Sequence, residues 1–231
     1  MIMKNLLILT VFLSALMLLS SCTTVYIPNE INAPAFNEPN QFKGGISIGN
    51  SGTNLQLGYS FYKNFAAVGD ISYLDRKSSE PRFQRTWSLG LGYFTRIKQA
   101  DSMFYEVFGG YSNGRTNSAY EDQFLTNGPG YENADYNRFY VTQNISVQQE
   151  FIDFIISVRF SYFNFTRYES HEFINPVMPQ AIGIEPAIKI RIGGEFLKLK
   201  FQLGYNLINS IKGPDFNYDR GFGLVGLECS F

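Results

Sequence analysis

Between Glu195 and Leu207 the chain reads EFLKLKFQLGYNL. Leu197, Leu199, Phe201, Leu203, Tyr205 and Leu207 take every second place, and Lys198, Lys200, Gln202, Gly204 and Asn206 fill the gaps. A strand sends successive side chains to opposite faces, so this one has an oily face and a charged face. The same period-2 pattern dominates from Gln41 to Phe231, broken by Gly, Asn, Asp and Pro clusters. It predicts ten strands: Gln41–Asn50, Thr53–Tyr62, Phe65–Asp75, Arg85–Ile97, Met103–Arg115, Tyr136–Gln148, Phe154–Phe165, Ile182–Ile192, Phe196–Leu207 and Arg220–Phe231. No helical period of comparable length follows Cys22.

These segments are long. A strand in a soluble sheet averages about 5–6 residues, whereas one crossing a membrane at a tilt needs about 9–11. After the first hairpin the connections alternate: Lys63-Asn64 short, Arg76–Gln84 longer, Lys98–Ser102 short, Thr116–Asp135 long, Gln149–Asp153 short, Thr166–Ala181 long, Gly193–Glu195 short, Ile208–Asp219 long. Tight periplasmic turns alternating with longer outer loops mark outer-membrane barrels. The expected fold is therefore all-β, a ten-stranded antiparallel up-and-down transmembrane β-barrel. An even strand count puts both ends of the barrel domain on the periplasmic side.

Parity assigns the faces. Leu55, Leu57, Tyr59, Phe61, Trp87, Leu89, Leu91, Tyr93, Ile156, Val158, Phe160, Ile188, Ile190, Leu199, Phe201, Leu203, Val225 and Leu227 are expected to face lipid. Lys43, Gln56, Asp70, Glu106, Arg138, Asn144, Arg159, Glu185, Lys189, Arg191, Lys198, Lys200, Gln202 and Glu228 are expected to face the lumen. Four acids against seven bases there predict an ion-pair network with a basic excess. Aromatics gather at both boundaries, with Tyr73, Trp87, Tyr111, Tyr162 and Tyr205 near the loops and Phe61, Phe65, Tyr105, Phe154 and Phe231 near the turns. Cys229 shares the parity of Phe231 and is expected to face lipid as a small apolar residue.

Composition sharpens the picture. Of 231 residues, 45% are hydrophobic, 16% aromatic and only 17% charged, below the roughly 25% charge of soluble domains. The net charge of −1 comes with no basic run, so nothing points to a nucleic-acid partner and none is expected. Met1–Ser21 carries Lys4 and then an apolar run over Leu6–Leu19, the layout of a signal peptide. The expected organisation is a signal over residues 1–21, a tether over 22–40 and a barrel over 41–231. Thr23–Asn40, punctuated by Pro and Asn and without a period, is what suggests the tether.

Leu19-Ser20-Ser21-Cys22 resembles a bacterial lipobox, which implies cleavage before Cys22 and lipidation, with palmitate among the chains, of its thiol. With TVYIPNEINAPAF after the cysteine and GLVGLECSF at the end, the mature chain resembles the lipid-anchored outer-membrane β-barrel proteins of Bacteroidota-type bacteria. That resemblance implies an outer-membrane address and no catalytic set. Thr23-Thr24-Val25-Tyr26 lacks the acid-rich run that sends such lipoproteins to the surface, so the periplasmic leaflet is the expectation. Asp101-Ser102-Met103 resembles the periplasmic O-glycosylation acceptor of these bacteria, which would place a glycan on Ser102.

Chemistry is thin. His171, in Tyr168-Glu169-Ser170-His171-Glu172, is the one histidine, and its neighbours alternate faces, so no catalytic residues are assigned. With no second histidine and no thiol pair, no metal and no cofactor are expected. The outer loops offer Tyr120, Phe124, Tyr131, Phe173, Phe216 and Tyr218 as a binding surface. Outer-membrane lipid is the implied partner, together with a larger outer-membrane complex. The expected role is non-enzymatic, structural or accessory. The alternatives are a narrow solute pore and a lipid-anchored, lipocalin-like binder whose apolar face would line a ligand cavity.

Overall fold

A computed structural model describes residues 25–77, 81–97, 102–122, 128–170 and 177–231. Its strands are β1 (Phe42–Gly49), β2 (Gly52–Tyr62), β3 (Phe65–Arg76), β4 (Arg82–Arg96), β5 (Met103–Asp122), β6 (Gly128–Gln148), β7 (Ile152–Ser170), β8 (Gln180–Gly193), β9 (Leu197–Tyr205), β10 (Leu207–Lys212) and β11 (Gly221–Ser230). Each pairs antiparallel with the next around the sheet, and β1 pairs with β11 from Lys43↔Ser230 to Gly49↔Leu224, which closes the barrel. Phe42 and Phe231 finish that seam by exchanging backbone hydrogen bonds of 3.0 and 2.9 Å.

The wall has ten strands, because β9 and β10 are two halves of one. Both pair with β8 in a continuous register, from Gly204↔Ala187 to Leu207↔Ile184. Pro186 lies between those pairs and has no N–H to give to a ladder. The strand is interrupted at Asn206, whose N–H goes to Arg220 O at 2.7 Å and whose buried side chain donates to Asp219 O at 2.7 Å.

The outer hairpin is longer than its sequence suggests. Thr116–Asp135 was expected as a loop, but β5 and β6 stay paired up to Asp122↔Gly128. Asn, Ser, Thr and Gly obscure the alternation there because neither face of the protruding hairpin needs to be apolar. The wall is therefore tall along β5–β7 and low along β1 and β11.

Polarity is inside-out. Ile46, Leu55, Leu57, Leu89, Leu91, Ile156, Phe160, Ile188, Leu199, Phe201, Leu203 and Leu227 all point outward and exposed. Gln56, Glu106, Arg138, Asn144, Glu185, Lys189, Arg191, Lys200 and Gln202 point inward and buried. Soluble monomers rarely expose contiguous apolar patches beyond a few hundred Å², whereas this one encircles the wall. A closed barrel leaves no unpaired edge for lipid to meet. The fold is that of a membrane-spanning β-barrel. The lipocalin-like arrangement, with an apolar cavity and lysines in water, is the reverse of what is found: Lys198 and Lys200 point into the lumen while Leu197, Leu199 and Phe201 point out.

Candidate functional site: a lumen threaded by the N-terminal segment

An eight-stranded barrel is just filled by its own side chains, so ten strands leave central space. Here that space holds another stretch of the same chain. Val25, Tyr26, Ile27, Asn29, Glu30, Ile31, Ala33, Ala35 and Phe36 are all buried inside the wall. This corrects the expectation of a tether over 22–40. Its described residues, from Val25 to Phe36, run down the barrel from the loop mouth to the turn mouth before joining β1.

An extended chain surrounded by wall has no ladder of its own, so its backbone groups must find side-chain partners. Gln84 accepts from Ile27 N–H at 3.0 Å and donates to Ile27 O at 2.5 Å. Gln202 does the same for Ile31, at 3.1 and 3.3 Å. Asn54 accepts from Glu30 N–H at 3.4 Å. Arg159 donates to Asn29 O at 3.3 Å, Arg191 to Pro34 O at 2.9 Å and Lys43 to Ala35 O at 2.6 Å. Pro28 and Pro34 have no N–H to satisfy, and each biases the residue before it toward extended backbone. Near the lower end Ala35 turns left-handed, with φ of 53°. That turn converges the N–H groups of Ala35 and Phe36 on the Glu106 carboxylate, at 3.2 and 2.8 Å, as a backbone nest holds an anion.

The contents of the lumen are layered. At the loop end Val25 and Tyr26 pack among Tyr136, Phe163, Phe165, Tyr168 and Phe216. The connection from β10 to β11 folds in over them: Asn217 O accepts from Val25 N–H at 2.8 Å, and Asp219 N–H donates to Tyr26 O at 2.9 Å. At the turn end Phe36 packs against Ala66, Val68, Phe94 and Phe108. Gly58 makes room there, since a Cβ on it would stand 2.9 Å from Phe36 Cζ.

Charge fills the middle. Glu30 accepts from Ser47 at 2.5 Å and lies 2.8 Å from Lys200 Nζ and 3.3 Å from Lys189 Nζ. With its amide oriented to satisfy both of its atoms, Gln56 donates to Glu30 at 2.9 Å and accepts from Asn32 N–H at 3.2 Å. Glu185 takes Arg159 in a two-pronged pair at 2.6 and 3.1 Å, Ser161 at 3.0 Å and the Tyr26 hydroxyl at 2.8 Å. Arg138 donates to that hydroxyl at 2.7 Å and to Asn29 at 3.1 Å, while Asn29 donates to Asp70 at 2.7 Å. Ser88 also donates to Asp70. Arg191 pairs with Glu228 and, at 3.0 Å, with Asp153, which lies 2.6 Å from Lys198. Asp153 and Glu30 thus raise the lumen's acids well toward its bases, and the expected basic excess shrinks accordingly.

The structure places the nine expected lumen charges, Asp70, Glu106, Arg159, Glu185, Lys189, Arg191, Lys198, Lys200 and Glu228, inward in this network. Asp153, expected in a turn, and Tyr26, Asn29 and Glu30, expected in the tether, complete it. The loop-surface set is scattered. Phe216 is buried over the lumen mouth and Tyr218 half-buried against it, so neither belongs to an open binding surface. Tyr131 is exposed on β6. Tyr120 lies on β5 with its side chain outside the described residues, as do Phe124, Phe173, His171 and Cys22 altogether. Ser102 is half-buried in the β4–β5 turn, its carbonyl accepting from Gln148 N–H at 2.8 Å. Cys229 is a free thiol, partly buried, 3.3 Å from Gly44 O.

No family model and no curated protein matches this chain. Among solved structures it is similar to the translocator domain of the autotransporter NalP from Neisseria meningitidis, at 11% identity, covering 82% of this chain and 86% of that one with a TM-score of 0.43. It is also similar to the KdgM porin, at 12% identity over 83% and 99% of the two chains, with a TM-score of 0.35. The likeness is distant, and the barrel class rests on the strand pairings and wall polarity described above.

Proposed function

We propose that this protein is an outer-membrane β-barrel lipoprotein that closes its own lumen and serves as a structural or accessory component of the membrane, without enzymatic activity. The observation that carries this reading is the segment from Val25 to Phe36. Apolar clusters hold it at both ends and buried ion pairs hold it between them. A channel needs an open path, and a barrel enzyme needs reactive groups at an accessible rim. This lumen instead turns its charges toward one another and toward the segment. The outer wall offers the apolar belt through which lipid, or a neighbouring barrel in a larger complex, would be met.

Planar-bilayer recording tests this. The purified protein is expected to be electrically silent. A variant with residues 25–36 replaced by a Gly/Ser sequence of equal length is expected to conduct. Steady conductance by the unmodified protein would overturn the reading. A gated small-solute pore draws on the same geometry, because ten strands leave a lumen wide enough for a chain, and it predicts voltage-induced opening of the unmodified protein.

A further inference from the structure

The lumen segment has a direction, and the direction has a consequence. Val25 is bonded to Asn217 in the β10–β11 connection, at the mouth where the long connections gather. The segment then descends to Phe36, and the chain turns through Asn40 (φ of 63°) into β1. Asn40 N–H donates to Ser60 O at 2.6 Å beside the short Lys63-Asn64 turn, so this is the turn mouth. Phe231, paired with Phe42, lies at that same mouth. The first described residue and the last therefore lie at opposite ends of the barrel. Strand-count parity puts both ends together only if the chain crosses solely by its wall strands, and the lumen pass adds one crossing.

We infer that the mature N-terminus emerges at the loop mouth, so that a lipid on Cys22 is held in the outer leaflet, on the cell-surface side, opposite the C-terminus. This rests on the membrane-barrel lipoprotein reading above. Distance decides it. Cys22 precedes Val25 by three positions, a reach of about 11 Å at most. Tyr26 touches Glu185, which is eight residues along β8 from Gly193 at the turn mouth. At strand spacing and barrel tilt that is roughly 20 Å along the axis, and the segment itself occupies the path. The inference runs against the periplasmic-leaflet expectation, which rests on the lack of an acid-rich run in Thr23-Thr24-Val25-Tyr26.

Three variants of the full-length protein, each with one added cysteine in a Cys229→Ala background that keeps Cys22, test the placement in intact cells with a membrane-impermeant maleimide. Lys212→Cys reports the loop mouth, Glu195→Cys the turn mouth and Thr24→Cys the N-terminus; Lys212 and Glu195 are exposed. Each variant is first checked for a heat-dependent gel shift to establish a folded barrel. Thr24→Cys is expected to label in intact cells as fully as Lys212→Cys, with Glu195→Cys labelling only after permeabilisation. Labelling of Thr24→Cys only after permeabilisation, in step with Glu195→Cys, overturns the inference while leaving the barrel reading intact. Equal labelling of Lys212→Cys and Glu195→Cys in intact cells overturns both.

Discussion

Glu30 is the residue on which the lumen's middle turns. Two lysines reach it from neighbouring wall strands, Lys189 on β8 and Lys200 on β9, and all three are buried. Removing one partner of a buried ion pair strands the other, at a cost of about 3–5 kcal/mol. Glu30→Ala is expected to lower the barrel's unfolding free energy in detergent by that order, and with it the unfolding midpoint, followed by urea titration with a gel-shift readout. The triple change Glu30→Ala, Lys189→Met and Lys200→Met is expected to recover much of the loss, because no charge is then left unpaired. At Ala35 the left-handed backbone disfavours a Cβ by about 1–2 kcal/mol. Ala35→Gly is thus expected to hold or raise the midpoint in the same titration. Period-2 parity made the wall's half of this network legible, because a residue such as Lys200 alternates with apolar Leu199 and Phe201. It could not expose Glu30 or Tyr26. A chain enclosed on all sides has no second face, so its sequence carries no alternation and looks like a linker. One trace was present: a lumen with more bases than acids needs a counter-charge from elsewhere in the chain.

At the level of elements, boundaries were most legible where lipid imposes the pattern. β2, β3, β8 and β9 begin or end within a residue or two of their expected limits for that reason. Above the belt lipid imposes nothing, and the β5–β6 hairpin continues through residues that look like loop. Its Arg115–Asp135 pair, at 2.7 Å, joins an exposed arginine to a half-buried aspartate, and pairs open to solvent contribute about 0–1 kcal/mol. Arg115→Ala should therefore leave the unfolding midpoint nearly unchanged, as should shortening the hairpin beyond it. A large drop in either variant would show that the protruding hairpin supports the barrel rather than standing on it. The break at Asn206 was hidden because Pro186, its cause, sits on the neighbouring strand, and cross-strand opposition is invisible until the register is known.

For the molecule as a whole, the proposed lipidation of Cys22 would give the protein a second attachment to the membrane, at one point, beside the apolar belt around the entire wall. They differ in kind. Several acyl chains would hold one point of the chain, whereas the outward Leu, Ile and Phe side chains of the wall strands have no favourable place in water all the way round the barrel. The closed wall also satisfies its backbone groups without help from solvent. Cys22→Ala is accordingly expected to stay in the membrane fraction through carbonate and high-salt washes, to need detergent for extraction, and to keep its heat-dependent gel shift. Release of a soluble Cys22→Ala protein would mean that the belt is not lipid-facing, and would reverse the assignment of every strand face. Retention would instead separate the two attachments. The belt would hold the protein, and the lipid would add only a fixed position for the N-terminal end, beside the aromatic cluster where Tyr26, Phe165 and Phe216 close the loop mouth.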